Sequence, residues 1–266
     1  MEKTKNAKRI VVKVGSSTLT KDGGVLNLRR IEKICMVLSD IKNGGRDVVL
    51  VSSGAVSAGR GKLKVGHRPA TLEEKQALAA VGQGELMMIY ERFFSLYGNT
   101  VGQILLTWDV VDSPVSRRNA ENTLSKLFEM GVIPIVNEND TVASEEFRFG
   151  DNDTLSAHVS LLAKADLLIN LSDTDGFYDS DPRHDPNAKL LKYVEKIDER
   201  MYGYAKDSST DVGTGGMTSK IKAAEIACSH GIPMMIVSGE DPEILYRIIE
   251  DGEDEGTYFA AYEGEK

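Results

Sequence analysis

Short apolar runs alternate along this chain with longer stretches in which apolar residues recur every three or four positions. The short runs at residues 9–14, 47–51, 101–107, 132–136, 166–171 and 233–237 predict strands. Residues 47–51 are apolar after the first position, which predicts a central strand covered on both faces. Between these runs lie helical patterns. Asn27 caps a stripe of Leu28, Ile31, Ile34, Leu38 and Ile41, closed by Gly44 and Gly45. Thr71-Leu-Glu-Glu74 is a capping box that opens a long helix reaching to Tyr97. Residues 116–130, 154–165, 217–230 and 242–249 complete the helical set. Alternation of this kind predicts an α/β fold with a mainly parallel sheet between helices.

At 266 residues the chain has room for one large domain or two small ones. The loop at 176–188 is the best boundary, read as separating two lobes of a single domain spanning 1–266. A net charge of −9 argues against nucleic acid or an anionic membrane as the main partner. No apolar run approaches the ~20 residues of a membrane span. The basic residues at 1–9 lead only into a short strand, which is not a signal peptide. Cys35 and Cys228 lie far apart in helical segments and read as buried free thiols, so a reducing cytoplasm is the expected setting. The four histidines, His67, His158, His184 and His230, show no metal-ligand spacing, and no protein metal site is expected.

Candidate chemistry gathers where strands end. The run 132–136 leads into Asn137-Glu-Asn-Asp140, and Gly150-Asp-Asn-Asp153 then opens a helix. Ligands of open α/β sheets bind at the carboxyl ends of the strands. Two carboxylate and carboxamide clusters placed there suit a small zwitterion, whose ammonium needs acceptors. Each cluster alone also reads as a turn or helix cap. Lys13-Val-Gly15-Ser-Ser ends the first strand and offers a cation and backbone amides to a phosphate. Ser52-Ser53-Gly54-Ala55 ends the second, where small residues allow a ligand close to the backbone or simply permit close packing. The glycine-rich 213–220 segment enters a helix with Lys220 at its end, without the spacing of a Walker A loop or a dinucleotide fingerprint. Ser172-Asp173 ends the fifth strand before a polar loop that suits an adenine and ribose or a solvated turn.

Six motifs in order, Lys13-Val-Gly-Ser-Ser, Val51-Ser-Ser-Gly-Ala, Asn137-Glu-Asn-Asp, Gly150-Asp-Asn-Asp, Asp179-Ser-Asp-Pro-Arg and Gly213-Thr-Gly-Gly-Met-Thr-Ser-Lys, resemble the amino acid kinase superfamily and, within it, the γ-glutamyl kinase family. Ala79-Ala-Val-Gly-Gln83 resembles that family as well, and the likeness runs from about residue 8 to 259. The resemblance implies a three-layer αβα sandwich with a mainly parallel central sheet. It implies ATP-dependent phosphorylation of the side-chain carboxylate of L-glutamate, the first step of proline synthesis, with Mg²⁺. By position, Lys13 and Lys220 hold the transferring phosphoryl group and Asp153 organises the two lysines. Ser53, Gly54, Asn137, Asp140 and Asn152 bind glutamate in a lobe at roughly 8–150. Gly15, Ser172, Asp173, Thr214, Gly215, Gly216, Met217, Thr218 and Ser219 join the lysines around ATP in a lobe at roughly 151–260. Many members carry an additional PUA domain, and the resemblance here is to the short form without it. Proline as a feedback inhibitor, a homo-oligomer (dimer or tetramer) paired through the long helix, and glutamyl phosphate reductase as functional partner are further implications.

The chemistry agrees with the residues. A glutamate side chain with a pKa near ~4.3 is ionised at neutral pH, so it needs no general base. Phosphoryl transfer to it needs positioning and charge stabilisation. The acyl phosphate product is destroyed by water, so residues 141–149 are a candidate lid, or else an exposed hairpin. Two alternatives stand beside this reading. Sister kinases of acetylglutamate, aspartate or uridylate share the pattern, although an acetylated substrate needs no partner such as Asp140 for an ammonium. A non-catalytic amino-acid sensor would need no phosphoryl-transfer groups such as Lys13, Asp153 and Lys220.

Overall fold

The computed structural model describes residues 2–21, 24–143, 149, 151–206 and 216–262. After a short α1 (Glu2–Lys5), β1 (Arg9–Val14) leads through α2 (Ser16–Leu19) to α3 (Leu28–Asn43) and β2 (Asp47–Ser52). Next come α4 (Ala55–Leu63), α5 (Leu72–Leu96), β3 (Val101–Leu106), α6 (Asp109–Asp112), α7 (Pro114–Glu129) and β4 (Ile133–Glu138). The second half holds α8 (Asn152–Ala163), β5 (Leu167–Ser172), β6 (Tyr193–Val194), α9 (Glu199–Lys206), α10 (Met217–Cys228), β7 (Met234–Ser238), α11 (Ile244–Tyr246) and β8 (Thr257–Phe259).

The strands form one eight-stranded sheet in the order β3-β4-β2-β1-β5-β7-β8-β6. All neighbours pair in parallel except β7 and β8. Residues 9–138 therefore build one half of the sheet and residues 167–259 the other, meeting where β1 pairs with β5.

Side chains of a strand point alternately to its two faces, and here that parity sorts the core. Ile10, Val12 and Val14 of β1 pack with Ile31, Leu38, Tyr90 and Phe94 of α3 and α5. Val11 packs on the opposite side with Leu155, Val159 and Ala224 of α8 and α10. The same alternation splits Leu50 from Val51, Ile135 from Val136 and Ile169 from Leu168. Helices thus cover both faces, as the alternating pattern predicts, giving the three layers that the resemblance implies.

The helix signals behave as their chemistry dictates. The Asn27 side chain accepts from Arg30 N at 3.3 Å, and Thr71 Oγ1 accepts from Glu74 N at 3.2 Å. Glu74 returns its bond to Ala70 N rather than to the cap residue. Leu28, assigned to the buried stripe from periodicity, is half exposed because it occupies the first helical turn, ahead of the residues that reach the sheet. The expected helix at 242–249 is only α11 followed by a π-helical turn, Arg247–Asp251, which still buries Ile248 and Ile249. The short elements α9, β6 and β8 carry too few residues for a periodic signal and were not foreseen.

Two glycines fix how α4 meets α5. A Cβ on Gly82 would lie 1.7 Å from Ala55 O, and one on Gly59 would lie 1.9 Å from Leu78 O. Only glycine permits this backbone contact. The small residues after β2 therefore serve helix–helix packing, and they bring α5 beside the end of the sheet.

Candidate active site

The carboxyl ends of β1, β2, β4 and β5 open into a cleft of about 670 Å³, the position at which α/β sheets receive ligands. Lys13, Ser53, Asn137, Asp140, Asn152 and Lys220 all border it. Parity divides its polar residues into two centres.

The first centre is ionic and lies on the face covered by α8 and α10. Lys13 follows Val12 in β1 and so points to the Val11 side, towards α8. Its Nζ lies 2.5 Å from Asp153 Oδ1, while Lys220 Nζ lies 3.3 Å from Asp153 Oδ2. Asn170, on the same face of β5, donates to Asp153 Oδ1 at 2.7 Å, and Ser219 Oγ donates to Oδ2 at 2.7 Å. Asp153 is 1% exposed and each lysine 6%. Burial opposes ionisation of Asp153, yet Lys13 and then Lys220, with the hydrogen bonds, hold its carboxyl well below the usual carboxylate range. Burial lowers the Lys13 pKa; Asp153 opposes the shift and Lys220 reinforces it. Two lysines share one buried carboxylate, and Asp151 stands close enough to act on Lys13 as well.

The second centre is built of neutral amides. Asn152, the first residue of α8, donates through Nδ2 to Ser52 O at 2.9 Å and to Asn137 Oδ1 at 2.8 Å. Asn137 Oδ1 also accepts from Glu138 N at 2.9 Å, and Asn137 Nδ2 donates to Gln83 Oε1 of α5 at 2.9 Å. Ser52 Oγ meets the buried Tyr90 hydroxyl at 2.8 Å. Asp151 caps α8, accepting from Thr154 N at 2.8 Å, and burial pushes its pKa up. Gly54 begins α4 with φ of 95°, a left-handed conformation suited to glycine, and borders the cleft beside Ser53.

At the other end of the cleft a narrower cavity of about 130 Å³ is bordered by Ser172, Asp173, Phe177, Gly216 and Met217. Lys220 and the Ser172–Asp173 pair line both spaces and join them. Arg183 clamps Asp181 there through two bonds of 2.9 and 2.7 Å. Gly15 borders the larger cleft. Of the remaining expected nucleotide residues, Thr218 is exposed and borders neither space, Ser219 contacts Asp153 instead, and Thr214 and Gly215 lie outside the described residues.

Residues 8–238 match the amino acid kinase family. The chain is 53% identical over 265 residues to glutamate 5-kinase from Clostridium perfringens, covering 98% of each protein. It is 50% identical to glutamate 5-kinase from Listeria innocua, covering 98% of this chain and 95% of that one. The chain belongs to the amino acid kinase family, in its glutamate 5-kinase branch. Membership makes it a kinase with ATP as co-substrate. The fold agrees: a UMP kinase from Bacillus anthracis superimposes with a TM-score of 0.66 at 18% identity, covering 96% of both chains. An isopentenyl phosphate kinase from T. acidophilum gives 0.64 at 17% identity, covering 94% of this chain and 99% of that one.

For this member of the kinase family, sequence reasoning missed several groups at the site. Asn170 carries a signal in retrospect, as a polar residue inside an apolar strand, and its buried Oδ1 has no protein partner among the described residues. Arg60 and Lys75 border the cleft without any motif to mark them. Gln83, noted above only within a family-like segment and given no role, and Tyr90 sit on a helix whose face towards the sheet end is visible only in three dimensions. Of the candidate lid, residues 144–148 lie outside the described residues. Phe149 is buried against Trp108 and His158, and its N–H donates to Glu138 Oε1 at 2.7 Å. No group of three or more potential metal ligands occurs among the described residues, and no described helix is long and apolar enough to cross a membrane.

Proposed function

We propose that the chain transfers the γ-phosphoryl group of ATP to the side-chain carboxylate of L-glutamate, forming L-glutamyl 5-phosphate and ADP, the first step of proline biosynthesis. The name carried by its relatives at about half identity supports this substrate. The observation that carries the reading is the pair of buried lysines on Asp153, facing a cleft whose opposite wall is a neutral amide cluster. A glutamate carboxylate oxygen forms the new bond to phosphorus as the bond to the β,γ-bridging oxygen of ATP breaks. The carboxylate is already ionised, so no proton leaves. Lys13 and Lys220 stabilise charge on the phosphoryl group as it passes, and Asp153 keeps both cations in place. Ser53, Gly54, Asn137, Asp140 and Asn152 orient glutamate, Asp140 and the amide oxygens receiving its ammonium. Arg60 and Lys75 balance its second carboxylate.

The nucleotide lies along Gly15, Ser172, Asp173, Gly216, Met217 and Lys220, which border the two spaces. Mg²⁺ accompanying ATP would supply further charge stabilisation to the phosphates; both oxygens of Asp153 are already committed to protein donors. In this reading residues 8–150 act as the glutamate lobe and 151–260 as the ATP lobe of one domain. The labile product calls for prompt use in the cytoplasm by a reductase of acyl phosphates, and proline is the expected feedback inhibitor. A homo-oligomer, dimer or tetramer, paired through the long helix α5 is expected.

Hydroxylamine added to L-glutamate, ATP and Mg²⁺ should trap a coloured γ-glutamyl hydroxamate. Hydroxamate from N-acetylglutamate or aspartate but not from glutamate would move the chain to a sister specificity. A folded chain that binds glutamate yet consumes no ATP with it would be a sensor.

A further inference from the structure

The amide centre has a polarity that only certain atoms can set. An amide side chain offers an oxygen that accepts and a nitrogen that donates, and it can present either one by a half-turn. Two backbone groups at the ends of this chain of contacts cannot reverse. Ser52 C=O only accepts, and Glu138 N–H only donates. Between them one arrangement satisfies every bond. Asn152 spends both hydrogens of Nδ2, one on Ser52 O and one on Asn137 Oδ1. Its Oδ1 has no partner among the described residues, and the residue borders the cleft. Asn137 receives two donors on Oδ1, so its own Nδ2 must find an acceptor in a place where the residue is 3% exposed. Gln83 Oε1 is that acceptor, at 2.9 Å.

We propose that Gln83 is a positioning residue that fixes Asn137 and, through it, turns the Asn152 oxygen towards the substrate, so that the site selects a ligand bearing an ammonium group. The inference rests on the glutamate reading above and adds the origin of its selectivity. Without an acceptor at position 83, Asn137 must either bury an unsatisfied amide or turn over and set donor against donor at Glu138 N and Asn152 Nδ2. The second outcome takes from Asn152 its acceptor on Asn137 and lets it turn to present nitrogen where it now presents oxygen. A hydrogen-bonding site discriminates strongly against the wrong polarity. Gln83 reaches this place because Gly82, its neighbour, lets α5 touch α4 at the backbone.

The test compares L-glutamate with glutarate, which keeps both carboxylates and lacks the ammonium. Dissociation constants for both are measured by calorimetry on wild type, Gln83→Leu, Gln83→Met and Gln83→Glu. Loss of the acceptor should weaken L-glutamate about tenfold and leave glutarate within about twofold, collapsing the preference for the ammonium. Gln83→Glu keeps an acceptor oxygen and should retain most of that preference. KM for ATP should stay unchanged throughout. Gln83→Met is the second acceptorless variant should the leucine chain fail to fold. If both ligands weaken equally, or neither does, Gln83 is packing only and the proposal is overturned. A wild type that phosphorylates another amino acid but not L-glutamate overturns the glutamate reading itself, a result separable from the first because it appears before any substitution is made.

Discussion

Two polar centres sit at the same end of the same sheet and are built from opposite materials. On the α8 and α10 face, Lys13, Lys220 and Asp153 concentrate charge in a nearly water-free setting. On the α5 face, Ser52, Asn137, Asn152 and Gln83 carry no charge and spend their atoms on direction. The difference follows from what each must do. A transferring phosphoryl group carries spread-out negative charge, which point cations stabilise with little regard to angle. A zwitterion carries both signs close together, so a strong charge would attract one end and repel the other. Oriented dipoles help to distinguish the two ends, beside the charged Asp140, Arg60 and Lys75 that also border the cleft.

The comparison breaks most visibly at Asp153. Asp153→Asn leaves two buried lysines without their bonded counter-charge and should lower stability by about 3–5 kcal/mol in denaturant titrations. The pH dependence gives the sign. The folded pKa of Asp153 lies below its unfolded value of about 3.9, so its contribution is complete above that pH and is lost as pH falls towards the folded value. The variant should lack this part of the acid transition, whereas substitutions in the amide centre should leave it in place. An unchanged acid profile in Asp153→Asn would mean that the lysines do not depend on it.

Lys220→Ala sharpens the functional side of the contrast. Stabilisation made mainly in the transition state lowers kcat and kcat/KM together, here by roughly 10²-fold or more. KM for glutamate should move little, because the amide centre is intact. Near-normal kcat at saturating ATP would remove Lys220 from the phosphoryl site.

Asp140→Asn is the smallest of the three and tests whether the glutamate side uses any charge at all. Asp140 borders the cleft and lies 3.7 Å from Lys75, partly open to solvent. Loss of its charge should raise KM for glutamate about thirtyfold, the low end of the ~2–5 kcal/mol seen for desolvated partners, with a smaller change for ATP. Normal glutamate binding by calorimetry would make residues 137–140 a structural turn and leave recognition to the amides alone.

Local chemistry made much of this protein readable from its sequence. The strands at 9–14, 47–51 and 166–171 were visible because burial on both faces demands mainly apolar runs, and Asn27, Thr71 and Gly45 marked helix ends through their own hydrogen bonding or conformational freedom. Strand ends rich in Asn, Asp, Ser and Lys marked the cleft, and the ordered motifs supplied the kinase family. The short strands β6 and β8 stayed hidden because two or three residues make no period. What only the tertiary structure decided is which polar residues meet. Parity within β1 and β5 sends Lys13 and Asn170 to α8, while parity within β2 and β4 sends Ser52 and Asn137 to α5. That division depends on which helix covers which face, and Gln83, 54 residues from Asn137, is joined to it only through the glycine contact of α4 with α5. A hydrogen bond forms between atoms that packing brings within 3 Å of each other, and no local pattern in the chain records that distance.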